Sequence, residues 1–232
     1  MATTTIYASS ITNGRGIVAV ANSDWDDAIN ATSGSVQSST SNNFAIRAGA
    51  VTGRGGTDYR VWRSFAYFDL SSITTTITAA TVKVQGSGSI NNGGTAKMYA
   101  STAFGNNGTA LAGSDFDNVS STLYSATSFN EITWNKSGQN SFVVNATGIS
   151  AMNTNGILNV CFRNDMDVDE EEPESDHYLG INFGTSTQSF RIQVVITHND
   201  PGYGNKVIDV AASSIGEINE VPTANIEKVI DA

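Results

Sequence analysis

The sequence predicts an all-β protein: an antiparallel, jelly-roll-like β-sandwich with an extended C-terminal tail. Three observations predict it. Apolar and polar residues alternate in short runs, as in Thr81-Val82-Lys83-Val84 and Arg191-Ile192-Gln193-Val194, the period-two pattern of a half-buried strand. Turn signals separate such runs at Asn13-Gly14, Gly55-Gly56, Asn92-Gly93-Gly94, Asn107-Gly108 and Asn155-Gly156. Charged residues make up only 15% of the chain, against roughly 25% in ordinary soluble domains, and Ser, Thr, Asn and Gly take their place.

The strand candidates follow in order. Thr4–Ala8, Gly16–Ala21 and Asn43–Arg47 come first, then Trp62–Asp69, Thr78–Ser87 and Thr95–Ser101. Glu131–Asn135, Ser141–Asn145, Ile157–Arg163, His177–Phe183 and Ser189–His198 complete the set. One short helix is expected around Gly148–Asn153, and less than about a tenth of residues 1–198 should be helical. Many short strands with evenly spaced turns imply an antiparallel sandwich. Ten or so strands favour a jelly roll over an immunoglobulin-type arrangement.

At 232 residues the chain suits one sizeable domain, residues 1–198, and an appendage, residues 199–232. A domain of about 200 residues buries roughly 70% of its unfolded surface and needs no covalent staple. Prolines occur only at 173, 201 and 222. The net charge is −10, unevenly spread: residues 165–176 contribute −8 and residues 199–232 contribute −4. The remainder is close to neutral, with no basic face of the kind nucleic-acid binding requires.

Cys161 is the only cysteine. Within Ile157-Leu158-Asn159-Val160-Cys161-Phe162 it reads as a small buried hydrophobe in a core strand. Met1-Ala2-Thr3-Thr4-Thr5 lacks a basic segment and an apolar stretch, so no secretory signal is expected. No apolar run approaches the roughly 18 residues of a membrane span. An exterior-type surface without an export signal suits a virus particle released by lysis.

The tail carries a repeat. Lys206-Val207-Ile208-Asp209 recurs as Lys228-Val229-Ile230-Asp231, and Glu217-Ile218-Asn219-Glu220 lies 11 residues from each. Val210, Val221 and Ala232 obey the same shift, as do Ile215 and Ile226. An 11-residue period can mean a right-handed helical supercoil, but Gly216 and Pro222 oppose helix. The β-branched pairs Val207-Ile208 and Val229-Ile230 favour extended structure. Short strands joined by turns are expected. Val207, Val210, Ile215, Ile218, Val221, Ile226 and Val229 are the candidate partner-binding residues, directed at other virion proteins or at copies of the same chain. The other reading is a tail folded back on its own domain.

Arg63-Ser64-Phe65-Ala66-Tyr67-Phe68-Asp69-Leu70-Ser71-Ser72-Ile73, followed by Ile77-Thr78-Ala79-Ala80-Thr81-Val82-Lys83-Val84, resembles the hallmark of the DNRLRE-like β-sandwich modules. There an arginine-led aromatic strand ends in Phe-Asp and an alternating strand follows. Ile132-Thr133-Trp134-Asn135, Arg163-Asn164-Asp165-Met166-Asp167 and Arg191-Ile192-Gln193-Val194-Val195-Ile196 fall in the same order. The tail is similar to the "IxKVNGV" repeats that end many structural proteins of tailed bacteriophages. Here Asn219-Glu220 and Ile230-Asp231 stand where Asn-Gly is usual. The resemblance implies a module of particle surfaces, adhesion or carbohydrate binding, not generally catalytic.

Catalytic readings are weak. Asp24, Asp26 and Asp27 flank Trp25, and Asp115 and Asp117 flank Phe116. Paired carboxylates can cleave glycosides, yet surface loops commonly look like this. His177 and His198 sit in no nucleophile-elbow context, and no zinc-type spacing occurs. The acidic run from Asp165 to Asp176 carries two readings. Asp165, Asp167 and Asp169 have the one-three-five spacing of a calcium loop and Asp176 falls at the twelfth position, but Glu170 occupies the sixth, where the sharp turn wants Gly. A solvated loop and a Ca2+ or other hard-cation site both stand. Trp25, Tyr59, Phe104, Phe129 and Tyr203 lie outside obvious strands, whereas Trp62 and Trp134 read as core.

Two function classes follow: a structural module of a phage particle, decorating the capsid or serving as a tail accessory, and a carbohydrate-binding or adhesive module that would recognise host-surface glycans.

Overall fold

A computed structural model describes residues 1–9, 14–37, 41–91, 94–183, 191–199, 217–218 and 221–222, the last two pairs, 41–45 and Ser89 by backbone alone. The strands are β1 (Ala2–Tyr7), β2 (Arg15–Asn22), β3 (Ser35–Gln37), β4 (Ser41–Gly53), β5 (Gly56–Asp69), β6 (Ile77–Asn91) and β7 (Ala96–Ser101). They continue as β8 (Val119–Leu123), β9 (Gln139–Val143), β10 (Ile157–Asn164), β11 (Asp176–Asn182) and β12 (Gln193–His198). Three helices interrupt them: α1 (Trp25–Ile29), α2 (Ala146–Asn155) and α3 (Asp165–Asp169).

The protein is an all-β antiparallel sandwich. One sheet runs β1-β12-β6-β9, and the other runs from β6 through β11, β4, β5, β10 and β7 to β8. Strand β2 takes the free edge of β5 and carries β3. Strand β6 belongs to both sheets. Its residues up to Gln85 pair with β12 and β9, and from Gly86 onward it pairs with β11. Only glycine fits at that crossing, because a Cβ on Gly86 would lie 1.9 Å from the carbonyl oxygen of Asn135.

The second sheet is buried on both faces. Along β5, Ala66 and Phe68 join the core between the sheets, while Phe65 and Tyr67 point to the opposite face. Val160 and Phe162 against Cys161 repeat the division in β10. The inter-sheet core gathers Val82, Val84, Phe142, Leu179 and Ile196. Each such side chain contributes about 1.5–3 kcal/mol. The outer face is roofed by Trp25, Ala28 and Ile29 of α1 and by Phe104 and Phe116. Sequence alternation therefore reads as near-continuous apolarity in β5 and β10.

Three local expectations are corrected. Glu131–Asn135 is a turn, not a strand. The Asn130 Oδ1 accepts the backbone N–H groups of Ile132 and Thr133, which removes them from any ladder. Trp134 is still buried. Helical segments occupy 16% of the structure, more than the tenth expected. The reason is that Asp24, Asn145 and Asn164, which read as turn formers, each accept a backbone N–H as N-caps of α1, α2 and α3. Strands β3 and β8 have no counterpart among the strands expected. The helix expected at 148–153 spans Ala146–Asn155 and stops at Gly156 in the left-handed conformation.

The domain closes on itself. Strand β1 pairs with β12 from Ala2 opposite His198 to Tyr7 opposite Gln193. In the tail, Glu217–Ile218 pairs with Val221–Pro222 as a small hairpin. Ile218 and Val221 face each other in its register. Val207, Val210, Ile215, Ile226 and Val229 lie outside the described residues, as does Tyr203.

Candidate functional site

Two regions of the second sheet carry the polar chemistry. The first is the acidic segment. Asp165 begins α3, where its Oδ1 accepts the backbone N–H of Thr95 at 2.7 Å. Asp167 is fully buried between two guanidinium groups. Arg63 donates to both of its carboxylate oxygens, at 2.9 and 2.6 Å, and Arg163 does the same at 2.7 and 3.0 Å. Arg63 also donates to the carbonyls of Phe116 and Ile29 and lies over the Phe116 ring. One arginine of the aromatic strand thus ties α1, α3 and the 113–117 turn onto the sheet. Burial works to raise the pKa of Asp167, but the charge of Arg63 and the hydrogen bonds from Arg63 and Arg163 outweigh it, and the carboxyl is held below its ordinary value.

Asp169 is exposed. Asp176 forms a bidentate pair with Arg47, at 2.7 and 2.6 Å. Trp25 donates from its indole nitrogen to the Glu170 carbonyl at 3.3 Å, and the Tyr59 hydroxyl donates to the Glu172 carboxylate. The structure therefore does not bring Asp165, Asp167, Asp169 and Asp176 together as a calcium-type cage. Asp167 and Asp176 already spend their oxygens on arginines. Among the described residues no group of three or more His, Cys, Asp or Glu side chains is placed to hold a metal ion.

Two of the other acidic candidates, Asp24 and Asp115, hold local backbone in place. Asp24 caps α1 through the N–H of Asp27. Asp115, 5% exposed, accepts from the backbone of Phe104 and Ala112 and from the Asn118 amide. His198 sits between the hydroxyls of Thr4 and Thr75. Burial pushes the Cys161 thiol up to about 12.

The second region is a cleft of about 750 Å³. Its walls come from the 103–106 turn, residues 117–120, the end of α2 and strands β7 and β10. The turn is unusual: Phe104, Gly105 and Asn106 are successively left-handed, with φ of 57°, 59° and 55°. For a residue with a Cβ this costs on the order of 1–3 kcal/mol, and it persists only where surroundings impose it. Here burial of the Phe104 ring and the Asp115 hydrogen bond impose it. Asn159, 5% exposed, donates to the Ala103 carbonyl and to Asn106 Oδ1. Among the described residues its own Oδ1 has no hydrogen-bond partner. Asn118, Asn155, Asp117 and Tyr124 add to the polar lining, with the hydroxyl residues Ser101, Thr102, Ser120 and Thr154.

Sequence reasoning missed this cleft. Its one signal was Asn159, a polar residue inside the apolar run 157–162. The aromatic residues considered for stacking are mostly consumed: Trp25 and Phe104 are buried, and Phe129 packs edge-on against Trp134 and Phe142.

No protein-family model matches this chain, and no curated protein matches it.

Proposed function

We propose that the chain is a non-enzymatic structural protein of a bacteriophage particle, a capsid decoration or tail accessory, that displays the sandwich at the particle surface and docks through its C-terminal repeats. The observation that supports this reading most is the closure of the sandwich. Strands β1 and β12 pair along their whole length, β12 pairs with β6 on its other edge, and the Asn199 N–H is bonded to the Thr76 carbonyl, so the last strand of the sandwich has both edges paired ahead of the repeat. The middle copy of the repeat forms a two-stranded hairpin. A hairpin that small is marginally stable at best in water, which suits a segment that folds against a partner surface. The resemblance of the tail to phage structural repeats points the same way. No helix among the described residues is long and apolar enough to cross a membrane.

A chain truncated after His198 tests the reading. It should keep the circular dichroism spectrum and melting temperature of the sandwich but fail to join particles. Incorporation of the truncated chain at full occupancy would place the attachment in the sandwich and overturn the reading.

A further inference from the structure

We propose that Asn107 is a site of self-modification: its side chain closes on the Gly108 nitrogen to a succinimide, which water opens to aspartate or isoaspartate, while the fold holds the matching pair Asn155-Gly156 shut. Ring closure makes three demands. The nitrogen of the following residue must reach the side-chain carbonyl carbon, it must be free to give up its proton, and charge on the carbonyl oxygen must be stabilised. A following glycine leaves the approach open because it has no Cβ. Two Asn-Gly pairs lie wholly within the described residues, at 107–108 and 155–156, and the structure treats them differently.

Asn107 is exposed, in the turn that follows residues 103–106. The Gly108 N–H makes no hydrogen bond among the described residues, so its nitrogen swings toward the side chain without breaking one. The Thr109 N–H donates to Asn107 Oδ1 at 3.2 Å, and its second bond, to the Phe104 carbonyl at 3.0 Å, fixes it in place. It therefore meets the oxygen on which charge develops as the side-chain carbon becomes tetrahedral, and a donor so placed stabilises an oxyanion. At the other pair, Asn155 is the last residue of α2, and the Gly156 N–H donates to the Met152 carbonyl at 3.0 Å. Ring closure there has to break that bond and unwind the end of the helix.

The chemistry balances with water alone. The bond from the Gly108 nitrogen to Asn107 Cγ forms as the Cγ–Nδ2 bond breaks, and the Gly108 proton leaves with the amide nitrogen as ammonia. Water then adds to one of the two ring carbonyls. Addition at Cγ gives aspartate, and addition at the main-chain carbonyl gives isoaspartate. Either product puts a carboxylate on the turn that bounds the cleft, and isoaspartate also lengthens the main chain there by one carbon.

The experiment ages the full chain in mildly alkaline buffer, one sample folded and one in concentrated guanidinium chloride, and follows both asparagines by peptide mass spectrometry with isoaspartate detection. In guanidinium chloride the two should convert at rates within about threefold of each other, because only the fold distinguishes them. In the folded chain Asn107 should keep its denatured rate to within about threefold, whereas Asn155 should slow by roughly tenfold or more, the factor that a held hydrogen bond supplies. The proposal is overturned if Asn155 converts as fast as Asn107 in the folded chain, or if folding slows Asn107 as much as it slows Asn155. The measurement involves no particle, so its failure is separate from failure of the docking reading.

Discussion

The acidic segment and the neutral cleft lie on the same sheet and are opposites. The segment holds −8 of charge in 12 residues, yet its two most enclosed carboxylates are each matched by arginine. The cleft is nearly uncharged, yet it keeps a strained turn and an unsatisfied acceptor. A concentration of charge in sequence is therefore a poor guide to an open site. What matters is whether partners are already supplied from within the fold, and Arg47, Arg63 and Arg163 supply them here from β4, β5 and β10.

Breaking the acidic side should produce the largest effect. Asp167→Ala leaves two buried guanidinium groups without their shared anion, and should cost about 3–5 kcal/mol in a urea unfolding titration. Asp176→Ala removes a bidentate but partly exposed pair and should cost about 1.5–3 kcal/mol. Asp169→Ala, at an exposed position, should stay within about 0.5 kcal/mol. On the cleft side, Asn106→Gly should shift stability by less than about 1 kcal/mol, because relief of the left-handed strain offsets the lost bond to Asn159. Smallest of all is calcium. Because Asp167 and Asp176 are committed to arginines, the melting temperature should be the same in calcium and in chelator; an increase with calcium would show a site formed by the remaining carboxylates.

Much of the fold was legible because period-two alternation and turn dipeptides act locally. Ala80–Lys83 and Gln193–Ile196 appear in register in one sheet, and Gly156 ends a helix as an Asn-Gly pair suggests. Glu131–Asn135 was not legible as a turn, because Asn130 just before it decides the outcome through its side chain. The arginine partners of the acidic segment were illegible for a different reason. Asp167 meets Arg63 across 104 residues of chain, and no local spacing encodes such a pair. The cleft was illegible because its amides come from three separate stretches, around Asn106, Asn118 and Asn155–Asn159, that only the folded sheet brings together. The tail repeat is the reverse case: it is plain in sequence, while most of its apolar positions fall outside the described residues.

The direct measurement is a pH titration of the side-chain carboxyl carbons of aspartate by NMR, run with and without calcium. A carboxyl whose folded pKa is lowered stabilises the protein above its unfolded value of about 3.9, and that contribution is lost as pH falls through the folded pKa. Asp167 should stay ionised below the ordinary carboxylate range, its signal should not move with calcium, and the acid unfolding transition should follow its protonation. Ordinary titration of Asp167, or a calcium-dependent shift shared by Asp165, Asp167 and Asp169, would contradict the arginine lock and restore the acidic segment as the ligand site.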